Sequence, residues 1–213
     1  MRVDIVADVI CPWCFIGKRR LERAFALRPR LRPEITWHPF QLNPDMPSEG
    51  IDRELYLATK FGGGSGVAKI HASLREAGAS VGIHFDFTRI RRTPNTQDAH
   101  RLIRRAGAKA DRLVESLFHA YFIEGRDIGA RATLLTIAAE AGFEKNATDA
   151  FLESEATLEE IVADDQNARR LGIHAVPCFI FDHNYAISGA QEPEFFLPIF
   201  DLVEARPPSL VNG

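Results

Sequence analysis

The chain has 213 residues, of which 46% are hydrophobic and 26% charged, with a formal net charge of −3. That is enough for one large domain, or a domain with a sizeable insertion, with a properly buried core. The balance gives no ground for a nucleic-acid partner, and three cysteines are too few for a disulfide-stapled secreted framework.

Val3, Ile5 and Ala7 alternate with Asp4, Val6 and Asp8, which predicts a strand. The aspartates interrupt the apolar run, so no signal peptide fits ahead of Cys11. No stretch is long and apolar enough to span a bilayer, and a cytoplasmic location without a membrane partner is expected. Cys11-Pro12-Trp13-Cys14 comes next and opens a predicted helix running to about Leu27. Pro12 suits the first turn, where its missing N–H has no intrahelical partner. Cys14, Gly17, Leu21, Ala24 and Phe25 fall on one face at helical spacing. This puts Cys14 over the core and lets Cys11 face solvent at the cap. Lys18, Arg19 and Arg20 read as surface charge. Pro29 and Pro33 break the helix, and Ile35–Leu42 reads as a second strand, with Pro39 arguing for a position at or near a sheet edge. Strand, helix and strand make a βαβ unit.

The character then changes. Asn43-Pro44-Asp45-Met46-Pro47 reads as a linker, and helical patterns follow around 67–80, 97–106, 112–124 and 130–141, with Gly142 placed to end the last. Phe61-Gly62-Gly63-Gly64-Ser65-Gly66 matches neither GxxxxGKS/T nor GxGxxG, and reads as a hinge or loop. Arg89-Ile90-Arg91-Arg92 reads as a solvated loop. Thr157-Leu158-Glu159-Glu160 predicts a capping box opening a helix to Gly172. Ile173–Phe181 is an extended run, Asp182-His183-Asn184 a turn and Tyr185–Ser188 a second hairpin strand. Pro193 can open a last helix, and Pro198 predicts a kink or short first segment. The predicted order is βαβ, an all-helical insertion at 44–155, then αββα; residues 1–43 and 156–213 form the other domain.

The cysteine pair carries the chemistry. A thiolate, not a thiol, attacks a disulfide, and helix N-terminal N–H groups stabilise negative charge. Cys11 is therefore the expected nucleophile. Cys14, one turn on and facing inward, is the expected resolving thiol, attacking the mixed disulfide between Cys11 and a substrate. Zinc normally needs four ligands; only Cys178 and seven scattered histidines remain, so no metal is expected. Val176-Pro177 opens a hairpin strand just after a helix and loop. With the cysteine motif in the chain a cis peptide is expected there, against the alternative of an ordinary trans proline. Cys178 reads as a small buried hydrophobe. Asp8, three residues before Cys11, either relays protons to Cys14 or simply ends the strand. His38 and His174 read as structural.

These residues resemble the DsbA-like thioredoxin superfamily, in its cytoplasmic FrnE-like branch. The resemblance rests on the segment from Asp8 through Cys11-Pro12-Trp13-Cys14 to Lys18, on Trp37-His38-Pro39-Phe40-Gln41-Leu42-Asn43-Pro44, on Asn95-Thr96-Gln97-Asp98-Ala99-His100-Arg101, on Gly172–Phe179 and on Ile187–Gln191. It implies an α/β fold, thioredoxin-like with an inserted helical domain. It also implies thiol–disulfide oxidoreductase activity on a protein or small-molecule disulfide, with no bound cofactor and with glutathione as a candidate co-substrate. Cys11 and Cys14 would be the redox pair and Pro177 the cis-proline. Val176 would offer its backbone to the substrate, beside Trp13. Asn95 would either shape substrate binding at the domain cleft or cap a helix. Trp13 stands where periplasmic DsbA proteins commonly carry a histidine, which argues against strong oxidising power. The related 2-hydroxychromene-2-carboxylate isomerase and kappa-class glutathione transferase place a serine at the position of Cys11. A glutathione-dependent isomerase or transferase is therefore the runner-up, and a redox-regulated holdase the third reading. A homodimer is suggested by analogy alone.

Overall fold

In the computed structural model, which describes residues 1–205, the βαβ unit forms as expected. Strand β1 (Arg2–Ala7) leads into helix α1 (Pro12–Ala26), and β2 (Glu34–Pro39) returns parallel to β1, with Arg2 opposite Glu34 and Ala7 opposite Pro39. Asp4 and Asp8 are buried along with the apolar residues of β1. The reason is that β1 is a central strand covered on both faces, so alternation in its sequence does not become alternation in exposure.

Short strand β3 (Ile51–Asp52) leads into α2 (Arg53–Phe61) and α3 (Gly64–Ser80), and β4 (Arg92–Thr93) pairs antiparallel with β3. Helices α4 (Gln97–Ala106), α5 (Ala110–Phe122), α6 (Arg131–Glu140) and α7 (Lys145–Glu153) follow. Periodicity did not reveal α2 or α7. Helix α2 buries no residue and α7 only Thr148 and Leu152, so neither carries a broad apolar stripe. Each is instead started by an acidic cap: Asp52 accepts from the Glu54 and Leu55 N–H groups, and Glu144 from those of Asn146 and Ala147. The glycine run breaks α2 from α3 as expected, with Gly62, Gly63 and Gly64 all at positive φ.

Helix α8 (Leu158–Arg170) precedes the hairpin of β5 (Cys178–Phe181) and β6 (Tyr185–Ser188). Its expected capping box does not form. Thr157 lies at φ 67, and its side chain makes no cap hydrogen bond. The preceding loop wraps the buried Arg101 guanidinium, which donates to Ala156 O at 3.1 Å, Phe151 O at 3.0 Å and Ser154 O. That tertiary contact overrides the local cap signal. The β5–β6 turn, Asp182-His183-Asn184, has Asp182 and His183 both at positive φ, and Asn184 N–H donates to Phe181 O at 3.0 Å. A 3-10 turn at Pro193–Phe196 runs into α9 (Leu197–Glu204), with Pro198 in its first turn.

The main sheet has order β2-β1-β5-β6, so Pro39 lies on an edge strand. Helix α1 ties the molecule together. Its Phe25 stacks on Phe200 of α9 at 4.7 Å, and its Phe15 stacks on Phe118 of α5 at 4.9 Å. The sheet, α1 and the helices between β2 and α8 thus share one continuous hydrophobic core.

Candidate active site

Cys11 is the N-cap of α1, in extended conformation, with Pro12 at the first helical position and no acidic side chain in the first turn. Its N–H donates to Asp8 O at 3.0 Å, and its carbonyl accepts from Cys14 N–H at 3.0 Å. The helix therefore starts directly at the motif, with its positive end beside the sulfur. Cys11 is not the open thiol expected from its cap position: it is only 5% exposed. The loop before β5 covers it, and its thiol donates to the Val176 carbonyl at 3.6 Å. Trp13 stands between the two cysteines at 39% exposed and is the accessible side chain of the motif.

Cys14 is buried in the core. Burial pushes its thiol well above the ordinary value of 9.0, and the neighbouring Cys11 adds to the rise. One thiol sits at the helix cap and the other is held as the protonated form behind it. Cys11, Cys14 and Cys178 are all free thiols. Cys178 is buried in β5 opposite Val6 and Ser188, and burial raises its pKa as well.

The Val176–Pro177 peptide is cis, and its loop lies against α1. Gly17, one turn past Cys14, makes this approach possible: a Cβ there would stand 2.8 Å from Pro177 Cγ and 3.1 Å from Phe179 Cζ. Arg20, on the next turn, donates to Ala190 O and pairs with Glu192. The Gly189 N–H closes back on Pro177 O at 2.7 Å. Gly17 and Arg20 thereby fasten the proline loop to the helix that bears the cysteines.

The basic cluster after the motif is not surface charge. Lys18 and Arg20 are both buried. Lys18 Nζ lies 3.3 Å from Asp111 and 3.1 Å from Glu115 of α5, and also pairs with Glu22. Burial pulls the Lys18 ammonium down, but the three carboxylates outweigh this and leave its pKa raised. The expectation failed because Lys18 faces α5 and Arg20 faces the segment after β6, which sequence spacing does not show.

Asp8 is fully buried. Its Oδ2 accepts from Leu42 N–H at 2.7 Å and its Oδ1 from Ile10 N–H at 3.4 Å, and its negative charge adds to the rise of the Cys14 thiol pKa. The Asn95 segment, for which a cleft contact and a helix cap both stood open, leads into α4: Asn95 Oδ1 accepts from Gln97 N–H at 2.8 Å and Nδ2 donates to Met46 O at 2.7 Å. It also delivers two buried polar side chains, His100 and Arg101. No pattern in the sequence singled these out as inward-facing. His38 bonds Asp4 at 2.7 Å, and His174 is exposed. Among the described residues, no group of three or more His, Cys, Asp or Glu side chains is placed to hold a metal ion, and no helix is long and apolar enough to cross a membrane.

A family model described as a DSBA-like thioredoxin domain matches residues 2–200. The structure is similar to that of a probable DsbA oxidoreductase from Streptomyces coelicolor, with TM-score 0.86 and 30% identity, covering 98% of this chain and 92% of that one. An uncharacterized protein of Bacillus subtilis (strain 168), YwbO, is 26% identical over 200 residues, which is 92% of this chain and 94% of YwbO. The fold also matches that of the cytosolic disulfide reductase DsbM from Pseudomonas aeruginosa, solved with GSH, at TM-score 0.60 and 15% identity over 96% of this chain and all (100%) of DsbM.

Proposed function

Since this chain belongs to the DSBA-like thioredoxin domain family, whose membership supports thiol–disulfide oxidoreduction in general, we propose that its reactive pair is Cys11 and Cys14. The observation that carries this reading is one contact: the Cys11 thiol, at the N-cap of α1, meets the Val176 carbonyl beside Pro177, with Cys14 buried one turn behind. Cys11 attacks a substrate disulfide and forms a mixed disulfide, expelling one substrate thiolate. Cys14 then attacks the Cys11 sulfur, the Cys11–Cys14 bond forms, and the second substrate thiolate leaves. The substrate gains two electrons and the pair loses two. Asp8, packed behind Cys14, takes the proton that Cys14 gives up; the opposite direction of turnover reverses each step. Exposed Trp13 and the Val176 backbone are the groups we assign to substrate contact, with Asn95 at the start of α4 as a further candidate.

No bound cofactor is required, because the electrons reside in the cysteines. Glutathione, present with DsbM, is the small thiol chosen to test the reading. A Cys14→Ser variant should trap a glutathione adduct on Cys11, and the wild-type pair should equilibrate with glutathione as a reversible two-electron couple. A potential near about −270 mV would make the protein a reductant, and one near about −120 mV an oxidant. Absence of any exchangeable disulfide would overturn the reading.

A further inference from the structure

The Asp8 carboxylate has a second neighbour that mixed-disulfide chemistry does not by itself require. His100 of α4 is buried, and its Nε2 points at Asp8 Oδ1 from 3.5 Å. Among the described residues that nitrogen has no hydrogen-bond partner. A buried imidazole nitrogen left unpaired against a carboxylate is an arrangement that native folds rarely retain without use. Behind His100 lies a cavity of about 10 Å³, bordered by His100, His38, Trp37, Ile103, Arg104 and Phe118, which has room for one water. Trp37, His38, Ile103 and Arg104 are also walls of a larger cleft of about 450 Å³ between β2 and α4, reaching exposed Gly107 and Ala108. Cys14, Asp8, His100, a water-sized space and an open cleft therefore lie in series, apart from the Cys11–Val176 contact.

We propose that His100 is a positioning residue for the resolving step, linking Asp8 to the cleft between β2 and α4 so that the Cys14 proton has a route to solvent. The proposal rests on the disulfide-exchange reading above. When Cys14 attacks Cys11 of the mixed disulfide, one S–S bond forms, one breaks, and the leaving thiolate carries off the electron pair. The Cys14 proton passes to the Asp8 carboxylate, and His100 hands a proton on to water on the cleft side. The titratable and charged groups facing the pair are Cys14 of α1, His38 of β2, Tyr121 of α5 and Arg104 of α4, the last held by Glu160 and Asp164 of α8. None of them shares the Asp8–His100 contact.

The test is stopped-flow reaction of the reduced protein with 5,5′-dithiobis(2-nitrobenzoate). Attack by Cys11 releases the first thionitrobenzoate, and resolution by Cys14 releases the second. His100→Gln, close in size, and His100→Phe, which cannot pass a proton, are compared with Asp8→Asn over a range of pH, with acid-quenched samples weighed for the adduct on Cys11. The expected result is an unchanged first phase in the two His100 variants and a second phase slowed about tenfold near neutral pH in all three variants, at the low end for positioned proton transfer. The adduct accumulates, and the gap closes as pH rises because hydroxide then takes the proton. A second phase equal to wild type in His100→Gln at every pH would overturn the proposal, even if His100→Phe were slow, since packing alone would then be at work. Release of only one equivalent by the wild type would instead overturn the disulfide-exchange reading itself, and the proposal with it.

Discussion

Replacing Gly17 by alanine should disturb the seat of the proline loop while leaving both cysteines in place. The added Cβ would stand 2.8 Å from Pro177 Cγ, short by about 0.6 Å of ordinary contact at 3.4 Å, and 3.1 Å from Phe179 Cζ. Neither neighbour is the free end of a flexible chain: Pro177 is a ring, and Phe179 is fully buried in β5. Overpacking of this kind costs about 1–3 kcal/mol. Against it, alanine in a helix interior is better than glycine by about 0.8–1.0 kcal/mol. The net expectation is a loss of about 1 kcal/mol, read as a lower urea midpoint at unchanged slope. Function should suffer more. The loop must move away from α1, which lengthens the 3.6 Å contact between Cys11 and Val176 O, and a shift approaching 1 Å can cost up to about 100-fold in rate. The assay is the rate of mixed-disulfide formation on Cys11 in the Cys14→Ser background, compared with and without Gly17→Ala. A variant more stable than wild type by the full helix-propensity gain, with an unchanged rate, would refute the claim that Gly17 sets the loop.

Lys18→Met removes a buried cation that joins α1 to α5 and leaves Arg19 on Glu115. The carboxylate partners of Lys18 are 31–47% exposed and can turn to water, which reduces the loss to about 1–2 kcal/mol in urea denaturation. Arg101→Lys should cost about 3 kcal/mol or more, because an ammonium cannot serve the carbonyls of Phe151, Ser154 and Ala156 as well as Asp98; a loss under 1 kcal/mol would show that the loop before α8 does not depend on it. The raised Cys14 pKa means that above an unfolded thiol value near 9.0 the unfolded chain binds fewer protons than the native one. Stability of the reduced protein should accordingly be fully present below that pH and fall as pH rises beyond it. Cys14→Ala should flatten the fall, as measured by urea midpoints across alkaline pH.

The reach of the sequence can be judged residue by residue. The proposed redox motif's position between a strand and a helix, the edge placement of Pro39 and the hairpin after Pro177 all follow from local rules: side-chain periodicity, a proline tolerated at N1 and turn chemistry. The buried state of Cys14 follows too, because residues one turn apart on a helix share a face. Local rules gave the wrong sign wherever a distant segment supplied the environment. Lys18 is buried because α5 brings Asp111 and Glu115 to it across about ninety residues of chain. Thr157 loses its capping role to the carbonyl cradle around Arg101, and Cys11 loses its solvent to the Val176 loop. The sequence by itself determined where Cys11 and Cys14, the proposed reactive pair, lie and which elements bear them. Only the tertiary structure decided which charges are buried, how closely Gly17 lets Pro177 approach, and that His100 faces Asp8. Burial and proximity between residues far apart in the chain arise from packing, and periodicity records only which face of its own element a residue occupies.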